Sequence, residues 1–130
     1  MSDSSTLTFG EDSLADFKWL REALGTGATN LSAFMMAMAV GFAFGEPHQK
    51  KFARSNTGPR TEVKTHHQAL MTAILVSQGG DPADSTERDL LASRYAEAGI
   101  RIIKERVGDS EDVIGDLVLL LKDALAAGKK

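Results

Sequence analysis

The side chains with the clearest potential for chemistry are five cations in one stretch of the chain. Residues 47–64 carry a net charge of +4, because they contain one acid, Glu62, and five basic residues: Lys50, Lys51, Arg54, Arg60 and Lys64. Such a cluster, which also contains Phe52, can neutralise several phosphates, with an affinity that falls at high salt. We therefore predict a DNA-binding segment here. The alternative is a solvated loop that balances acidic helices.

The charge of the whole chain hides this cluster. The 130 residues carry a net charge of −3, but residues 1–46 contribute −4 and residues 65–130 contribute −3. The total excludes a polycation that coats nucleic acid by bulk charge. It leaves open a focused phosphate contact, repeated around an oligomer.

Other chemistry has little support in the residue types. The chain has no cysteine, so disulfides, thiolate metal sites and cysteine nucleophiles are excluded. Its three histidines are His48, His66 and His67. Adjacent histidines on a helix point about 100° apart, which is poor geometry for a metal. No phosphate loop, dinucleotide motif or hydrolase motif occurs, so we expect no metal, no cofactor and no enzymatic activity.

Hydrophobic periodicity predicts a mainly α fold, with five helices and one short N-terminal strand in a single domain over residues 1–130. We expect residues 1–5 to be disordered and residues 6–9 to form the strand, because polar and apolar residues alternate there. Capping residues and glycines place the helices. Their expected ranges are about 13–24, 30–44, 65–76, 85–107 and 110–127, and the basic connector, residues 46–64, separates the second from the third.

The second helix has no charged side chain on any side, so every face of it must be covered. A chain of this size has few elements for that purpose, which predicts a subunit interface in a homo-oligomer. The interface residues predicted from the strand and this helix are Leu7, Phe9, Phe34, Met35, Met38 and Phe42.

The later helices also have predicted buried faces. The third helix is expected to bury Leu70, Ala73, Ile74 and Ser77, and the fourth to bury Leu91, Tyr95, Ala98 and Ile102. Gly99 lies in the middle of the fourth helix, where it costs about 1 kcal/mol relative to alanine. It therefore predicts a close approach of another helix at that point.

The sequence predicts neither a signal peptide nor a membrane-spanning segment. The N-terminus Met-Ser-Asp-Ser-Ser has neither the basic nor the apolar region of a signal peptide. The longest purely apolar run, residues 33–44, is far shorter than the roughly 20 residues that span a bilayer. We expect a cytoplasmic protein without membrane contact.

Residues 5–45 resemble a ribbon-helix-helix unit, with an alternating strand followed by two helices that begin near Asp12 and Asn30. In that family strands from two subunits pair, and their outward side chains read the DNA major groove. The resemblance implies that Thr6 and Thr8 contact DNA while Leu7 and Phe9 face the partner. The ribbon departs from the family pattern because it carries almost no charge.

Residues 28–125 resemble, more loosely, the family called Dnd system-associated protein 4. The resemblance is carried by the apolar segment from Leu31 to Phe42, the basic connector, and the segment from Arg94 to Ile103 with Tyr95-Ala96 and Gly99. Proteins of that family are encoded beside genes for phosphorothioate DNA modification and phage defence. The resemblance implies association with DNA-defence proteins, and it supplies no catalytic residues.

Together these observations predict a non-catalytic, oligomeric DNA-associated accessory or regulatory protein. The alternatives are a protein–protein adaptor, whose basic connector docks an acidic partner, and a ribbon-helix-helix regulator without a role in DNA modification.

Overall fold

The computed structural model describes residues 9–44 and 65–128, and within them the chain forms five helices and no strand. The helices are α1 (Leu14–Leu24), α2 (Asn30–Phe44), α3 (Thr65–Ser77), α4 (Ser85–Val107) and α5 (Val113–Gly128), and a 3-10 turn (Glu11–Ser13) precedes α1. The predicted mainly α class is confirmed. The predicted disordered start, most of the predicted strand and all of the basic connector lie outside the described residues.

Short side chains fix where the helices begin. The Thr29 hydroxyl accepts from the Ser32 N–H at 3.1 Å at the start of α2, and Asp84 Oδ1 accepts from the Glu87 N–H at 3.0 Å at the start of α4. These bonds satisfy N–H groups that have no partner inside the helix. Asp112 caps α5 by accepting from the Gly115 N–H, which is why that helix starts at Val113 and not near Ser110.

Helix α2 lies at the centre of the fold. It packs mainly on α4 and also contacts α1 and α5, while α3 packs on α4. Phe9, Phe34 and Met38 are 2%, 1% and 0% exposed within the single chain. Their own chain thus covers these three side chains, and their predicted contact with a second subunit stays a prediction.

Part of α2 nevertheless remains uncovered by the described residues. Ser32 and Ala39 are exposed, Phe42 is 37% exposed, and Met35 and Met36 are half-buried. These side chains share one side of the helix, because they recur at three- and four-residue intervals. We call them the open face of α2: Ser32, Met35, Met36, Ala39, Phe42 and Ala43.

The crossing of α2 and α4 is close enough to require glycine on both helices. A Cβ added at Gly99 would lie 1.7 Å from the Ala37 carbonyl oxygen, and one added at Gly41 would lie 2.0 Å from the Tyr95 carbonyl oxygen. The close approach predicted from Gly99 is confirmed, and the approaching backbone is that of α2.

Two of the predicted buried faces need correction. On α3, Ile74 is buried as predicted, but the other buried side chains are Met71 and Leu75, while Leu70 is 48% exposed. The helix carries apolar residues on more than one side, so periodicity alone could not select the face. On α4, Tyr95 is 1% exposed as predicted, but the buried side also contains polar residues. In the described part of the chain, no helix combines the length and apolar character needed to cross a bilayer.

Candidate functional sites

The predicted DNA-contacting residues cannot be placed in the described fold. Lys50, Lys51, Arg54, Arg60 and Lys64 in the connector, and Thr6 and Thr8 near the N-terminus, lie outside the described residues. Leu7 of the predicted interface lies outside them as well. Of the predicted interface, Met35 and Phe42 lie on the open face of α2, where a partner could still reach them.

Two cations near the C-terminal end of α4 lie over aromatic rings. Lys104 Nζ is 4.3 Å from the centre of a Trp19 ring, and the Arg106 guanidinium carbon is 5.7 Å from the Phe44 ring centre. Such contacts attract a cation to the ring face while leaving much of the side chain in water. Since Phe44 is the last residue of α2, Arg106 lies at the C-terminal end of that helix.

The surroundings of Arg106 are mixed in charge. A cavity of about 170 Å³ between α4 and α5 is lined by Arg106, Leu119, Asp116 and Asp123, together with Val107 and Leu120. Its two carboxylates offset the single guanidinium, so this cavity does not indicate the charge of a ligand.

Buried polar groups follow one side of α4. Asp89, Ser93 and Glu97, at four-residue spacing, are 0%, 1% and 4% exposed. The Asp89 carboxylate accepts from Arg88 Nε at 2.8 Å. The Glu97 carboxylate accepts from the Ser13 hydroxyl at 2.6 and 2.8 Å and from the Gly10 N–H at 3.0 Å.

The Glu97 contacts attach the turn before α1 to the middle of α4. A buried carboxylate needs such donors, because burial without them carries a large desolvation cost. Among the described residues, the Ser13 hydroxyl has the Glu97 carboxylate and the Gly10 carbonyl oxygen as its partners, and no histidine is among them. The arrangement supports a structural role for Ser13 and Glu97.

A second cavity, also of about 170 Å³, lies between the start of the described chain, α1 and α2. Its lining residues are Phe9, Leu14, Lys18, Arg21 and Asn30. Arg21 Nη1 donates to Asn30 Oδ1 at 2.9 Å, which connects α1 to the first residue of α2. No sequence motif indicates this set of residues, because Arg21 and Asn30 belong to two different helices, which the turn at Gly25 and Gly27 connects.

The adjacent histidines of α3 do not form a metal site with other described residues. The His66 and His67 rings lie 4.0 Å apart at a 43° tilt, with His66 exposed and His67 half-buried. Among residues 9–44 and 65–128, no three histidine or carboxylate side chains are grouped so that they could hold a metal ion.

Comparisons of the chain with known protein families, with curated proteins and with solved structures found no match. The two resemblances described from the sequence therefore remain predictions.

Proposed function

We propose that the chain is a cytoplasmic, non-catalytic and oligomeric accessory or regulatory protein that associates with DNA in a DNA-modification or phage-defence system. The observation that carries the proposal is the placement of charge. Residues 47–64 contain five cations and one acid, while the segments before and after them in the sequence are net acidic. The resemblance of the α2 and α4 sequences to Dnd system-associated protein 4 supports the defence context.

The described helices supply a cation at the C-terminal end of α2, from which the chain continues into this segment. The segment joins Phe44 of α2 to Thr65 of α3, and Arg106 lies over the Phe44 ring. Arg101, Lys104 and Arg106 are exposed in the last part of α4, where Glu105 is the only acid. This basic end of α4 would add to the phosphate contacts of the connector, because charges within a Debye length of about 10 Å act together at moderate salt.

The test is a salt-dependent binding measurement with duplex, nicked and single-stranded DNA. We expect binding at about 50 mM salt that weakens steeply towards about 200 mM. The triple variant Lys50→Glu, Lys51→Glu and Arg54→Glu should weaken binding about equally for all sequences, because phosphate contacts carry no sequence information.

A matched control separates a local contact from total charge. The triple variant Lys122→Glu, Lys129→Glu and Lys130→Glu changes the net charge by the same amount at the other end of the chain. It should retain most of the affinity. Equal losses in the two triple variants, or no binding to any DNA at low salt, would contradict the proposal.

A second candidate function is a protein–protein adaptor, favoured by exposed apolar side chains on α5. Ile114, Val118 and Leu119 are 48%, 49% and 58% exposed, and clustered apolar side chains of this kind mark interaction surfaces. Other proteins of a defence system would be the partners. Affinity capture after nuclease treatment distinguishes the two functions. A protein partner that remains bound supports the adaptor, and a partner that is lost with the DNA supports DNA association.

A further inference from the structure

The cavity beside Arg21 has the size of a small organic molecule. Its volume is about 170 Å³, and an engineered apolar cavity of about 150 Å³ in another protein is known to bind benzene. Phe9 and Leu14 give it an apolar wall. Phe9 is 2% exposed and its ring stacks on Phe17 with the centres 4.1 Å apart, so this wall is held firmly by the core.

Another part of the lining is cationic. Lys18 and Arg21 lie one turn apart on α1, and both line the cavity. In the part of the chain that the structure describes, neither cation has a carboxylate within ion-pair distance. The cavity thus offers two positive charges that the described carboxylates leave uncompensated.

Arg21 is held in place before any ligand arrives. Its Nη1 donates to Asn30 Oδ1 at 2.9 Å, in a partly buried position. One donor of the guanidinium is used in this bond, and the planar group has further N–H donors that suit the two oxygens of a carboxylate. With its oxygen turned to Arg21, the Asn30 amide keeps its Nδ2 donor for a ligand. A fixed group of this kind lowers the entropic cost of binding.

We infer that this cavity binds a small organic anion, a benzene-sized apolar group that carries one carboxylate. The apolar group contacts Phe9 and Leu14, and the carboxylate accepts from Arg21 and pairs with Lys18. Inorganic phosphate would satisfy only the cations, and a neutral aromatic molecule only the apolar wall. This site goes beyond the proposed DNA contact, because α2 separates Asn30 from Phe44 by about 21 Å.

Benzoate is the probe for the first experiment, with benzyl alcohol as its neutral counterpart and inorganic phosphate as a bare anion. We expect saturable NMR shift changes at Phe9, Leu14, Arg21 and Asn30, with a dissociation constant of about 1 mM or below for a ligand of this size. Benzyl alcohol and phosphate should each bind at least about tenfold more weakly than benzoate. Equal affinity for benzyl alcohol or for phosphate overturns the inference, as does a lack of saturable shifts with benzoate.

Variants test the role of the two cations. Arg21→Gln should weaken benzoate binding about tenfold or more, the usual effect of losing a charge-assisted hydrogen bond, and Arg21→Lys should restore part of it. Arg106→Gln, at the other end of α2, is the matched control and should bind as the wild type does. If Arg21→Gln unfolds by circular dichroism, Lys18→Gln replaces it, since the exposed Lys18 makes no described hydrogen bond.

Unchanged benzoate affinity in the folded cation variants overturns the inference. Since the DNA measurements use residues of the connector, their failure would leave this test unaffected.

Discussion

At the scale of single residues, the buried Tyr95 makes the stability of the fold depend on pH. Its side chain is 1% exposed, and the Phe42 ring meets it edge to face with the centres 5.4 Å apart. Burial raises the pKa of Tyr95 above its ordinary value of 10.0, because the phenolate loses solvation in the core. The neutral form is thus the one that the folded state accommodates.

This shift predicts a loss of stability at alkaline pH. The contribution of Tyr95 is fully present below pH 10 and is lost as the pH rises through the raised pKa, since the unfolded chain releases its proton first. Urea unfolding of the wild type and Tyr95→Phe between about pH 8 and 11 measures it. The phenylalanine variant should lose less stability over this range. Since Tyr95 is the only tyrosine, tyrosinate absorbance reports its ionisation directly, and ionisation near pH 10 in the folded protein would contradict the prediction.

A second prediction at this scale concerns the buried Glu97 carboxylate. Ser13→Ala removes the hydroxyl donor, at 2.6 and 2.8 Å from its two oxygens, and leaves the Gly10 N–H. We expect the free energy of unfolding to fall by about 1–3 kcal/mol, the cost of a buried polar group that loses its partner. Urea denaturation checks this. The control is Glu105→Gln, an exposed change on the same helix, for which we expect less than about 0.5 kcal/mol. Equal effects would show that the Ser13 contact does not stabilise the fold.

At the scale of the helices, the close crossing of α2 and α4 decides whether a mutation at Gly99 stabilises or destabilises the fold. Helix propensity alone predicts that Gly99→Ala stabilises the chain by about 1 kcal/mol. The new methyl group, however, would lie 1.7 Å from the Ala37 carbonyl oxygen, which is backbone and cannot rotate away. We therefore expect a loss of about 1–3 kcal/mol or more from overpacking. Thermal and urea unfolding measure it, with the exposed Arg101→Ala as the control, and a stabilised Gly99→Ala would show that the helices are farther apart.

The order and bounds of the helices follow from local signals that the sequence contains. Thr29 and Asp84 accept hydrogen bonds at the starts of α2 and α4, and such caps depend only on neighbouring residues. What covers α2 could not be predicted in the same way. Its apolar surface indicates burial, but the partner can be the same chain or another one. Contacts between residues far apart in the sequence, here those of α2 with α4, determine which chain covers the helix.

The candidate sites show the same limit. The basic connector can be recognised from the sequence because its cations lie within one short segment, but its residues lie outside the described fold and the DNA contact stays a prediction. The cavity beside Arg21 combines Phe9, residues of α1 and Asn30, which have no common spacing. Asp89, Ser93 and Glu97 were missed on α4 because buried polar residues break the apolar pattern used to find a buried face.

At the scale of the whole molecule, the open face of α2 is the surface that we predict for self-association. It lacks charged side chains over its full length, and it includes Met35 and Phe42, two of the interface residues predicted from the sequence. Closed homo-oligomers commonly use one such patch on both subunits. The pairing would bury this face, and it would place two basic connectors in one assembly, since each begins two residues after Phe44.

Ala39→Glu tests this assembly with little risk to the fold, because Ala39 is exposed. A charge buried between two copies is costly, so the variant should be monomeric by sedimentation while the wild type is a dimer or larger. Its unfolding should change only through the loss of assembly. Val118→Glu, at an exposed position of α5, is the control and should keep the wild-type mass. A monomeric wild type would contradict self-association altogether, whereas dissociation by Val118→Glu alone would place the interface on α5, because only that surface would then be needed for assembly.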